Sequence, residues 1–145
     1  MARIQRSALL PYSASEMFEL VRDVDRYSEF LPWCPASRVV SDEGSEVLAS
    51  IELGYHGIHK TFTTRNHLEP PHRLIMRLVE GPFRHLDGYW EFAPLGEEAC
   101  KVSLDLDFEF AGRLVSSVLG PVFEQIANNL VAAFGRRASQ VYGKR

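Results

Sequence analysis

The sequence predicts an α+β domain in which a curved antiparallel sheet of about six to seven strands is covered by one long C-terminal helix. Three observations predict it. From Arg113 to Tyr142, apolar residues recur at intervals of three and four, the period of a helix with one face on a core. Between Ser37 and Phe110 the period is two, in segments punctuated by Gly and Pro, so consecutive segments read as neighbouring antiparallel strands. The last of these alternates most strictly: Cys100, Val102, Leu104, Leu106, Phe108 and Phe110 stand against Lys101, Ser103, Asp105, Asp107 and Glu109, one dry face and one charged face. A dry face needs a cover, and only the last segment is long enough to supply it.

The elements follow in order. Ile4 to Leu10 reads as a first strand ended by Pro11. Ser13 with Glu16 forms a capping-box pattern ahead of a helix from about Ala14 to Arg22. Asp25 reads as the cap of a second short helix with Tyr27, Phe30 and Leu31, cut off by Pro32 and Pro35, which leaves Phe30 to Pro35 as an apolar loop. Val47, Ala49, Ile51, Leu53 and Tyr55 share the inner face of a strand, a Gly54 to Gly57 turn follows, and Lys60, Phe62, Thr64, Asn66 and Leu68 share the inner face of its hairpin partner. Leu74, Met76 and Leu78 precede the Gly81-Pro82 stop, and Leu86, Gly88, Trp90 and Phe92 form the next inner row. In the final helix Pro121 lacks an amide hydrogen and disfavours a helical Gly120, which predicts a break after Leu119 and a restart at Pro121.

The chain of 145 residues, 46% hydrophobic and 24% charged, suits one domain over 1–145 with a single core. A net charge of -3 gives no global basic field, which argues against nonspecific nucleic-acid binding while leaving room for a local patch. Cys34 and Cys100 stand far apart without a CxxC pair and read as free thiols in a reducing compartment. No export signal and no run of 18 apolar residues is visible, so the expected location is the cytoplasm.

No signature of an enzyme emerges. His56, His59, His67, His72 and His85 fall in turns or on outer strand faces without acidic or cysteine partners at metal-like spacing. Asp105, Asp107 and Glu109 occupy outward strand positions, where charge pairing with Arg65, Arg73, Arg77 and Lys101 accounts for them better than acid catalysis. The aromatic residues of the inner rows fit either a packed core or the wall of a cavity. Gly88, which removes volume from an inner row, and Lys60, Thr64 and Asn66, which put polar groups beside Phe62, favour the cavity.

Three stretches together resemble a known family. The run Asp23 to Pro35, Gly81-Pro82-Phe83 with Leu86, Gly88, Trp90 and Phe92 behind it, and the ending Phe134-Gly135-Arg136-Arg137-Ala138 are similar to the START-like family that includes ribosome-association toxins and mitochondrial coenzyme-Q-binding proteins. The resemblance covers nearly the whole chain and implies a helix-grip fold with a hydrophobic cavity between sheet and helix. It also implies two activities. The first is non-enzymatic binding of ubiquinone or a related isoprenoid lipid, in support of respiratory electron transport, with no other cofactor. On that reading Tyr55, Phe62, Met76, Leu78, Gly88, Trp90, Leu106, Phe108, Phe123, Ile126 and Leu130 line the cavity. Lys60, Thr64 and Asn66 meet the head group, and Phe30, Leu31, Trp33, Phe83, Leu119 and Pro121 form the entrance. The second is binding to the large ribosomal subunit so that subunit association is blocked, with Arg65, Arg73 and Arg77 as candidate RNA contacts. The expected partners are thus a hydrophobic small molecule, the large ribosomal subunit and, transiently, a membrane surface, with oligomeric state left open. Some relatives of this fold are cyclases or hydrolases, but no positioned acid, base or nucleophile supports such a role here.

Overall fold

A computed structural model describes residues 2–145. The chain forms β1 (Ala2–Leu10), α1 (Ala14–Arg22), a 3-10 helix (Val24–Glu29), β2 (Ser37–Asp42), β3 (Glu46–Tyr55), β4 (Ile58–Glu69), β5 (Arg73–Glu80), β6 (Phe83–Pro94), β7 (Cys100–Phe110) and α2 (Arg113–Tyr142). The strands make one antiparallel sheet of order β1-β7-β6-β5-β4-β3-β2, which is the predicted α+β arrangement with seven strands. β2 to β7 meander. β1 pairs with β7, Ile4 opposite Leu106, a long-range choice that local sequence does not encode. The β3–β4 hairpin closes through His56 and Gly57, both with positive φ, the two-residue turn whose twist matches its strands.

The capping box at Ser13 is present: the Glu16 amide donates to Ser13 Oγ and the Ser13 amide to Glu16 Oε1. The end of the chain locks onto the same helix. Arg145 donates to both Glu16 oxygens at 2.7 and 2.9 Å, and Tyr142 Oη donates to the Glu16 carbonyl. The Arg145 guanidinium and then the Ser13 amide hold the Glu16 carboxyl at about 2, against an ordinary 4.5. A depressed carboxylate contributes stability above its unfolded value and loses it as pH falls through the folded one. The contribution is therefore complete above pH 4.5 and fades toward pH 2. Arg145→Gln is expected to move the Glu16 titration, followed by carboxyl carbon NMR, back toward ordinary values; an unmoved titration would show that Arg145 is not the cause.

Two expectations about helices need correction. Asp25 does not cap the 3-10 helix, which begins one residue earlier at Val24. Its Oδ1 instead accepts from the Val39 amide at 2.7 Å, tying the segment to β2. The second correction concerns Pro121, which lies inside one continuous α2. An internal proline costs ~3 kcal/mol. Leu119 and Phe123, on either side of it, are 2% and 5% exposed, and burying each contributes about 1.5–3 kcal/mol. Both stay buried only if the helix runs through, so burial outweighs the local penalty. Gly120 eases the passage because it offers no Cβ to the following proline ring. On α2 the buried residues are Leu119, Phe123, Ala127, Val131, Phe134 and Ala138, while Leu114, Val118 and Val141 are exposed.

Helix α2 runs closest to β1 and β7. The 3-10 helix packs against β2 and β3, and side chains fill the space between α2 and the rest of the sheet around one small cavity.

Candidate functional site

The inner face encloses an apolar cavity of about 70 Å³. Of the residues expected in its wall, Phe62, Met76, Trp90, Leu106, Phe123, Ile126 and Leu130 line it. Tyr55 does not: it sits at the tip of the β3–β4 hairpin, 40% exposed, edge-on to His56. Phe108 is buried with its ring packed at 4.7 Å on Phe123, and Leu78 faces a cleft beyond the cavity. Gly88 also stands away, for a different reason. A Cβ there would lie 2.2 Å from the Asp105 carbonyl oxygen and 2.9 Å from Leu106 Cα, so the missing side chain serves the close approach of β6 to β7 rather than ligand volume. Val24, Tyr27, Ile51, Leu74, Leu86, Leu104 and Ala127 also line it. Ile51, Leu74, Leu86 and Leu104 were readable from inner-face parity; Val24 and Tyr27 come from a 3-10 segment without a usable period.

Two of the three polar candidates face this cavity. Thr64 and Asn66 are buried on β4, and Thr64 Oγ1 donates to Asn66 Oδ1 at 2.8 Å. Satisfied in this way, the pair can remain in an apolar wall at little cost. Lys60, half-buried and paired with Leu53 toward the hairpin tip, lies outside the lining. Tyr27 also borders the cavity; burial pushes its phenol above the usual range, and its hydroxyl donates to the Val21 carbonyl.

The end of the cavity next to Pro121 is shut. Phe123 packs against Phe62, Phe83, Phe108 and Phe110 with ring separations of 4.7 to 6.1 Å, and Phe83 stacks on Phe110 at 4.3 Å. The residues expected to form an entrance therefore separate. Phe83, Leu119 and Leu31 are buried, Pro121 is exposed, and Trp33 lines the cavity itself. Phe30 lies against Phe134 at 5.2 Å with the Arg137 guanidinium over its ring, more than three helical turns from Pro121.

Two open depressions flank the cavity instead. A groove of about 540 Å³, lined by Phe30, Val39, Arg22, Arg26 and Arg137 among others, shares Asn66 and Leu74 with the cavity wall. A cleft of about 630 Å³ opens between β5 and β6 and shares Met76 and Leu86 with it. That cleft exists because β5 and β6 stop pairing after Arg77–Asp87, although β5 continues to Glu80 and β6 starts at Phe83.

On the outer face, pairing register places Leu48, Arg65, Arg77, Asp87, Asp107 and Arg3 in one row across six strands. The expected partners of the carboxylates differ from the observed ones. Asp105 is held by Arg3 and Gln5, Asp107 by His85, Glu109 by Arg84 and Glu91 by Arg73. Arg3 keeps the Asp105 carboxyl below its usual range. Arg73 also lies over the Tyr89 ring, so of the three candidate RNA contacts it is the one already engaged. Among the described residues, no group of His, Cys, Asp and Glu is placed to hold a metal ion, and no helix is long and apolar enough to cross a membrane. Both thiols are buried, and burial raises Cys34 and takes Cys100 up to about 11.

Comparison with known proteins gives three results. Residues 10–135 match the family of polyketide cyclase / dehydrase and lipid transport proteins. Ribosome association toxin RatA of Pseudomonas aeruginosa is 52% identical over 97% of both chains. The mitochondrial coenzyme Q-binding protein COQ10 homolog B of Xenopus laevis is 29% identical over 95% of this chain and 58% of its own length. Among solved structures, an 18 kDa protein from Caulobacter crescentus is 32% identical with a TM-score of 0.76, covering 99% of this chain and all of that one. A START superfamily protein from Mycobacterium smegmatis (TM-score 0.70, 18% identical, 93% and 98% covered) and a Streptomyces aromatase/cyclase (0.78, 17%, 99% of both) share the fold.

Proposed function

The chain belongs to the polyketide cyclase / dehydrase and lipid transport family, START-like in fold and similar end to end to the RatA proteins, and from that premise we propose that it is a toxin of the RatA type. It binds the large ribosomal subunit in the cytoplasm and keeps the two subunits from joining. The observation that carries this reading is the 52% identity to RatA along 97% of both chains.

The geometry supports it in two ways. The interior cavity, at about 70 Å³, is far below the ~300 Å³ at which small-molecule sites begin, so the interior is mostly packed core. The outer sheet face, by contrast, carries cations that are not consumed by neighbouring carboxylates. The activity needs no catalytic group. The test is subunit joining in vitro: separated subunits brought to joining conditions with an excess of the protein are expected to yield markedly fewer joined ribosomes, and an unchanged yield would contradict the proposal.

One observation favours a second reading, binding of an isoprenoid quinone. Thr64 and Asn66 present polar atoms to an otherwise apolar cavity, and the family includes a coenzyme Q-binding relative. Such binding requires the cavity to widen toward the groove beside Asn66 or the cleft beside Met76.

A further inference from the structure

We propose that Arg65 and Arg77, on the outer face of β4 and β5, form the contact with ribosomal RNA, binding its phosphate backbone as it runs along these two strands. The inference rests on the ribosome reading and specifies its surface. Its starting point is a local conflict. Arg65 and Arg77 are directly opposite each other in the β4–β5 register, and like charges so placed destabilise a sheet. Among the described residues no carboxylate forms an ion pair with either. The carboxylates of the face pair elsewhere, Asp105 with Arg3, Asp107 with His85, Glu109 with Arg84 and Glu91 with Arg73. Asp87 is opposite Arg77 in the register, yet no ion pair to Arg65 or Arg77 forms among the described residues. Both arginines are exposed.

A pair of guanidinium groups on adjacent strands is a fork for phosphate oxygens, and an anion between them turns the repulsion into attraction. The surface beside Arg77 is open: a cleft of about 630 Å³ begins there, with Asp87 on its far side. The distribution of charge chooses among polyanions. On β6 and β7 the same face carries Asp87, Asp105, Asp107 and Glu109, which would repel a flat anionic membrane laid across the sheet. A single backbone of phosphates can follow β4 and β5 and avoid that half. Arg73 is excluded from the contact because Glu91 and Tyr89 already hold it.

The test compares wild type, the double variant R65Q/R77Q and the control R73Q for binding to purified large subunits across a salt series, with thermal midpoints measured in parallel. The double variant is expected to bind about tenfold more weakly or worse, with a log K against log salt slope smaller by about two, one per cation removed. Its midpoint should be unchanged or higher, because a repulsion is gone. R73Q should bind like wild type. If wild type binds and R65Q/R77Q binds equally well, this contact is wrong while the ribosome reading stands. A lowered midpoint would mark the two arginines as parts of the fold and overturn the proposal. If wild type ignores subunits but holds deproteinised ribosomal RNA through these arginines, the ribosome reading fails and the site survives. Binding to neither, or to phosphatidylglycerol vesicles alone, overturns both.

Discussion

Replacing Gly88 with alanine is expected to destabilise the fold by roughly 3 to 5 kcal/mol, at the upper end of single-substitution effects. The added Cβ would meet the Asp105 carbonyl oxygen at 2.2 Å and Leu106 Cα at 2.9 Å. Both atoms belong to the backbone of β7, so no side-chain rotation relieves the clash, and β6 must move away from its neighbour. The pairs Met76–Gly88 and Gly88–Leu106 lie mid-sheet, where such movement breaks ladder hydrogen bonds on both sides. Chemical denaturation should therefore show a much lower midpoint. A loss below about 1 kcal/mol would mean that the strands can separate locally, and that Gly88 is spare volume after all.

The second large effect is expected at Phe123→Ala. The ring is 5% exposed and packs on four other phenylalanines, and truncating a buried Phe costs about 3 to 5 kcal/mol through lost burial and the void left behind. The same substitution opens the shut end of the cavity, since Phe123 lines it. Two readouts separate these consequences: a fall in unfolding free energy, and a gain in binding of a small apolar probe such as benzene, which engineered apolar voids accept. A stable variant would show that the Phe cluster repacks and does not bear the weight of the helix–sheet contact.

The contrast between these sites shows what could be read from residues alone. Alternation at Cys100 to Phe110 and the helical period after Arg113 depend only on neighbours in sequence, so strands and helix were legible, as was the inward position of Thr64 and Asn66. Gly88 was misread because a missing side chain looks the same whether it makes room for a ligand or for another backbone. Pro121 was misread because a local penalty was weighed without the burial of Leu119 and Phe123 that outweighs it. The entrance failed for a third reason: Phe30 meets Phe134 rather than Leu119, a matter of where a loop crosses a helix. Arg65 and Arg77 were visible as outer-face cations, but their opposition appears only once the β4–β5 register is known.

The family resemblance was legible too, and it implied both lipid binding and ribosome binding, with the acidic residues on the outer face counting against RNA contact. The ribosome reading proposed above is supported by two later observations, a cavity of about 70 Å³ and identity to RatA of 52% against 29% to the coenzyme Q-binding relative. Fold alone could not decide, because the same framework carries an aromatase/cyclase.

The most direct measurement is sedimentation of the purified protein with separated ribosomal subunits through a gradient at low salt, with organic extraction of the protein-bearing fractions. The protein is expected to travel with the large subunit, to be released as salt rises, and to carry no stoichiometric isoprenoid quinone. Protein that stays at the top of the gradient at every salt concentration, with a quinone in its extract, would contradict the ribosome reading.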